Sequence, residues 1–147
     1  MDDATRGRII ALPLIAFALI LADQVTKHWA IGNGNYLLNT GISFGLLKGN
    51  NEVMIVIASL ALILFVYLLA FKVDEFHSHL GLLLLIAGTA GNLIDRVTIG
   101  AVVDFIRIGS FPVFNLADAY LTTGVFIIIV ATLIAERRAK NKALPSS

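Results

Sequence analysis

Residues 53–71 read VMIVIASLALILFVYLLAF, a run without a single charged residue. A helix needs about 20 apolar residues to cross the hydrocarbon core of a bilayer, and this stretch meets that length. Three further segments qualify, at about 9–31, 80–97 and 116–135. The first contains Asp23, the third runs into GNLIDR, and the fourth has Asp118 in its first turn. Composition agrees: 58% of the 147 residues are hydrophobic and 14% are charged, against about 25% charged in soluble domains. The chain therefore reads as an all-α membrane protein of four transmembrane helices, one domain over residues 1–147. The short extracytoplasmic loops leave room for a small β element at NYLLN.

Arg6 and Arg8 ahead of the first apolar run resemble the start of a signal peptide. No small-residue cleavage site follows, and ADQVTKHW stands there instead, so an uncleaved span is expected. Basic residues set the orientation. Arg6, Arg8, Lys72, Arg137, Arg138, Lys140 and Lys142 fall on one side; Lys27, Lys48, Arg96 and Arg107 fall on the other. Both termini are expected in the cytoplasm, with FKVDEFHSHL as a cytoplasmic turn.

With a rise of 1.5 Å per residue, Asp23 lies roughly 21 Å into a core about 30 Å thick. Asn92 and Asp95 lie at a similar depth, and Asp118 near the outer boundary. Polar groups from separate segments thus meet in one layer, the outer third of the membrane. Asp23 and Lys27 are spaced to pair on one helix face, and Asn92, Asp95 and Arg96 share another. Asp23 with Lys27, and Asp95 with Arg96, can be structural ion pairs as readily as chemical groups. Asn115 can cap the fourth helix, with Asp118 as its acidic first-turn residue. Asp104 has no such task. A charged Asp costs about 2.5–3.5 kcal/mol at the bilayer centre, so carboxylates in such surroundings are functional candidates.

Several chemistries are excluded. There is no cysteine, hence no disulfide, thiolate zinc site or cysteine nucleophile. GISFG at 41–45 fits G-x-S-x-G, but four spans do not supply the strand–turn–helix that motif requires. A net charge of +1 gives no reason to expect nucleic acid. No metal site and no cofactor are expected. Two neighbouring carboxylates, one protonated and one ionised, can activate water and protonate a leaving amine.

LADQVTK, NTGISFG, GNLIDR, VVDF and FNLADAY follow one another in the order found in the bacterial lipoprotein signal peptidases, signal peptidase II, over about residues 12–136. The chain resembles that family of four-helix inner-membrane aspartyl proteases. The resemblance implies removal of signal peptides from prolipoproteins, cutting before a diacylglyceryl cysteine. It implies Asp104 and Asp118 as the catalytic dyad, and Asn39, Asn92, Arg96 and Asn115 as substrate-binding or supporting residues. Asp23 and Lys27 match a structural motif of helix one, and Asp95 joins them as structural polar. Its implied partners are prolipoprotein and membrane lipid, its expected state a monomer, and its active site faces the extracytoplasmic side. The outer segment between Asp23 and Asn39 is shorter than is usual in the family, which trims the β element that cradles substrate. The rival reading is a small proton- or ion-coupled transporter, since intramembrane charges also mark ion paths. Against it, the polar residues stop in the outer third. A noncatalytic scaffold would leave Asp104 and Asp118 unexplained.

Overall fold

The computed structural model describes residues 3–41, 50–71 and 76–143. The elements run α1 (Asp3–Gly32), β1 (Leu37–Asn39), α2 (Asn51–Phe71), α3 (Phe76–Thr98), β2 (Val102–Asp104) and α4 (Leu116–Ala143). All four helices are long and apolar enough to span a membrane, over Ala11–Gly32, Asn51–Phe71, His79–Thr98 and Leu116–Asn141. Helices α1 and α4 extend past the spans expected from hydropathy, because backbone hydrogen bonding continues where the apolar run stops. The motif GISFG lies outside the described residues except for Gly41.

Local sequence sets the helix ends. At the end of α1, Gly34 adopts φ +64°. Its N–H donates to Ile31 O and that of Asn35 to Ala30 O, a Schellman closure that turns the chain toward β1. The other end of the site is set by Asn115. Its Oδ1 accepts the N–H of Asp118 at 2.8 Å, and Asp118 Oδ2 accepts the N–H of Asn115 at 3.3 Å. This is a capping box with Asn and Asp in place of Ser and Glu.

Strands β1 and β2 pair antiparallel, with Leu37 opposite Asp104 and Asn39 opposite Val102. NYLLN thus supplies the small β element. After β2 the chain runs out and folds back, with Ile106 bridged to Phe114 and Gly109 at φ +53° in the turn. That return is what brings Asn115 beside Asp104.

Helix α3 is the hub. It packs against α1, α2 and α4, while α1 touches α4 more lightly. Leu82, Leu83, Leu85, Ile86 and Ala87 of α3 are buried. Close approach on the α4 side needs glycine: a Cβ on Gly88 would stand 2.5 Å from Ala117 O, and one on Gly81 2.6 Å from Ile128. Small residues that let backbones approach are the usual means of helix association in lipid.

Candidate active site

At the end of the bundle that carries β1 and β2, α1, α3, α4 and β2 enclose a polar interior. Asp23, Lys27, Asp95, Arg96, Asp104 and Asn115 are all buried there. Charge in such a place is stable only when paired and fully hydrogen-bonded. Lys27 Nζ lies 2.8 Å from Asp23 Oδ2 and 2.8 Å from Asp95 Oδ2. The other acceptor sites are also used. Asp23 Oδ1 accepts the Ala117 N–H at 2.9 Å, and Asp95 Oδ2 accepts the Val103 N–H at 3.0 Å. Gln24 Nε2 donates to both carboxylates and to Gly91 O. Asp23 thereby satisfies a free amide in the first turn of α4, where a negative charge also meets the positive end of the helix dipole.

The spacing allowed Asp95 to pair with Arg96. The structure corrects this: Asp95 pairs with Lys27 of α1. Arg96 Nη2 donates instead to Gly41 O at 3.1 Å, and Nη1 is buried without a partner among the described residues. Adjacent residues on a helix point about 100° apart, so Asp95 turns to α1 while Arg96 turns toward the loop after β1.

Asp104 and Asp118 are brought together by asparagine amides. Asp104 Oδ1 accepts from Asn115 Nδ2 at 2.7 Å and Oδ2 from Asn39 Nδ2 at 3.0 Å. Asn39 reaches Asp104 as a diagonal neighbour across the β pair. Asp118 Oδ1 accepts from Asn92 Nδ2 at 2.8 Å. Asn115 therefore touches both carboxylates, Asp104 through its side chain and Asp118 through its backbone. Asp118 is both the first-turn capping acid and a member of the pair; the two readings of that residue coexist.

Burial pushes the Asp104 carboxyl up, and the charge of Asp118 beside it pushes it further. The amides of Asn39 and Asn115 and the charge of Lys27 pull it back, leaving it at about 6. A carboxyl so placed can hold a proton next to an ionised neighbour. Arg96 lies within electrostatic reach of both Asp104 and Asp118.

Every site residue expected from the sequence falls in this cluster. Three others went unassigned. Gln24 ties Asp23 to Asp95, and Asn51 Nδ2 donates to Arg96 O at 3.0 Å. Gly91 makes room, since a Cβ there would stand 2.5 Å from Asp23 Oδ2. Gln24 and Asn51 did carry a signal, an uncharged polar side chain in or beside a spanning run. Gly91 carried none without a neighbour to measure against.

Four helices long and apolar enough to span a membrane, with carboxylates gathered in a polar interior, define the class as a multi-pass membrane protein. The family model for signal peptidase II matches residues 15–134. Among named relatives, the lipoprotein signal peptidase of Dehalococcoides mccartyi is 40% identical over 79% of this chain and 84% of its own. That of Clostridioides difficile is 34% identical over 86% and 97%. A bacterial membrane enzyme solved by the in meso method at 2.3 Å superposes with a TM-score of 0.81 at 33% identity, over 92% of this chain and 93% of that one. The chain belongs to the signal peptidase II family, and its activity is the removal of signal peptides from prolipoproteins. Nothing in these relationships supports the transporter reading.

Proposed function

We propose that Asp104 and Asp118 are the catalytic pair, and that the bond cut is the one just before a diacylglyceryl cysteine. The observation that carries this is the double grip of Asn115, which holds one carboxylate by its Nδ2 and the other by its backbone N–H. Two acids held by one residue, in a site that raises Asp104 to about 6, suit a shared-proton dyad.

In the reaction the ionised carboxylate takes a proton from water as its oxygen adds to the scissile carbonyl carbon. The protonated carboxyl donates toward the carbonyl oxygen. On collapse the C–N bond breaks and the amine leaves with a proton from the dyad. Arg96 Nη1, buried and without a partner among the described residues, fits a carbonyl of the bound peptide, because an unsatisfied donor there is expensive until a ligand fills it. Asn39, Asn92 and Asn115 hold the carboxylates in place.

The same reading gives the setting. The polar cluster lies at one end of four spanning helices, the depth at which a lipid-anchored cysteine would present its bond. The excess of basic residues at the opposite ends of the spans supports an extracytoplasmic site in the inner membrane with both termini cytoplasmic, and the protein is proposed to act as a monomer. The test is turnover of a synthetic prolipoprotein peptide with and without the diacylglyceryl group. Cleavage of the lipidated peptide and little of the bare one is expected; equal rates on both would refute the lipid requirement.

A further inference from the structure

We infer that Lys27 is a positioning residue for Asp118, acting through the side-chain amide of Asn92; this rests on reading Asp104 and Asp118 as the catalytic pair. An ammonium has three protons to donate and no lone pair to accept with. Lys27 spends two on Asp23 Oδ2 and Asp95 Oδ2. The third goes to Asn92 Oδ1 at 3.0 Å. Asn115 Nδ2 also donates to that oxygen, at 3.1 Å.

Two donors therefore converge on one side of the Asn92 amide. Only its oxygen can face them, so its NH2 must face the other way. There it donates to Asp118 Oδ1 at 2.8 Å. Reversed, the amide would set N–H groups against the ammonium and against Asn115, and would turn a carbonyl oxygen toward a carboxylate. The order Lys27, Asn92, Asp118 is thus a directed chain of donors. An ion pair alone would need Asp23 and Asp95 but not Asn92. Lys27 is 1% exposed, so bulk water does not reach the third contact.

The consequence is orientation. Asp118 is gripped on Oδ1 by Asn92 and on Oδ2 by the Asn115 N–H. Loss of the first grip frees the carboxylate to rotate on its capping bond, and a misplacement of about 1 Å can cost about 10²-fold in rate.

Two variants test this in the full-length protein. Lys27→Gln removes the charge and should lower kcat about 10²-fold with KM within about threefold. It should also move the alkaline limb of the pH–rate profile upward, because the Lys27 charge holds the Asp104 carboxyl down. The other charged groups facing Asp104 and Asp118 are Asp23 on α1 and Asp95 and Arg96 on α3, and the substitution alters none of their charges. A purely structural Lys27 would reduce the folded fraction but leave kcat of the folded protein near wild type, since the profile shift reads only the lost charge. Asn92→Asp is the second variant, and it reads even if Lys27→Gln does not fold. It leaves Lys27 an acceptor but turns an oxygen toward Asp118, so it should keep the thermal midpoint and lose activity. A folded Lys27→Gln with kcat within twofold, or an active Asn92→Asp, overturns the inference. Asp104→Asn separates the two claims. If it is active, the dyad reading fails. If it is inactive while Lys27→Gln is normal, only the role of Lys27 fails.

Discussion

Helices α2 and α3 make the most useful contrast in the molecule. Both are of spanning length, yet 61% of the apolar window of α3 is buried against 6% of that of α2. Helix α2 has the more hydrophobic sequence and supplies almost none of the interior. Leu60, Ile63 and Leu64 stand exposed on it, since lipid solvates a leucine as well as a protein does. Helix α3 carries glycines, Asn92, Asp95 and Arg96, and is the hub. In a membrane the polar and small residues mark the interior, and hydrophobicity marks only the span.

The sharpest way to break this contrast is to remove a polar group from the α3 side. Asp104→Asn and Asp118→Asn should each lower turnover by about 10³-fold or more, with the double variant little worse than either single, because groups acting as one unit are not additive. Both proteins should still fold, to be checked by thermal unfolding in detergent. Near-normal turnover of Asp118→Asn would leave the capping box as that residue's only role.

Next in size are the α3 glycines. Gly88→Ala drives a Cβ against the backbone of α4 at Ala117 O, and should cost about 1–3 kcal/mol as an overpacking substitution. Gly91→Ala meets Asp23 Oδ2 instead, and should loosen the Lys27 network and reduce activity along with stability. If both variants unfold at the wild-type midpoint, α3 is not the close-packed hub described.

A smaller effect is read by pH. Asp104 titrates at about 6 in the folded protein against a reference of 3.8. The native state therefore binds the extra proton between those values. The stability this group lends is full below about 4 and is lost as pH rises through about 6. The same proton should give kcat/KM an alkaline limb with a midpoint near 6, since that ratio reports the free enzyme. A flat profile between pH 5 and about 8 would argue against Asp104 as the proton-holding member.

The smallest effect belongs to α2. Ile63→Leu, at a residue 66% exposed, should change stability by no more than about 0.5 kcal/mol and leave turnover unchanged. A large loss there would mean that this face of α2 meets protein, and the contrast with α3 would weaken.

The sequence by itself determined the class of fold and named the polar residues that gather in one cluster. An uncharged run at 53–71 can only be a span, and carboxylates such as Asp23 and Asp118 in apolar surroundings must be paired or used. The spacing of Asp23 and Lys27 was enough to foresee their ion pair, because both sit on one helix whose geometry is fixed. Partnership between helices was not legible in the same way. Asp95 could have taken Arg96, its neighbour in sequence, but took Lys27 from α1, and Asp118 drew its donor from Asn92 of α3. Those choices follow from which faces α3 turns to α1 and α4, and that rotation is set by glycines 81, 88 and 91 meeting the neighbouring helices. Only the tertiary structure decides it, because a glycine in a sequence states that space is available and not what will fill it.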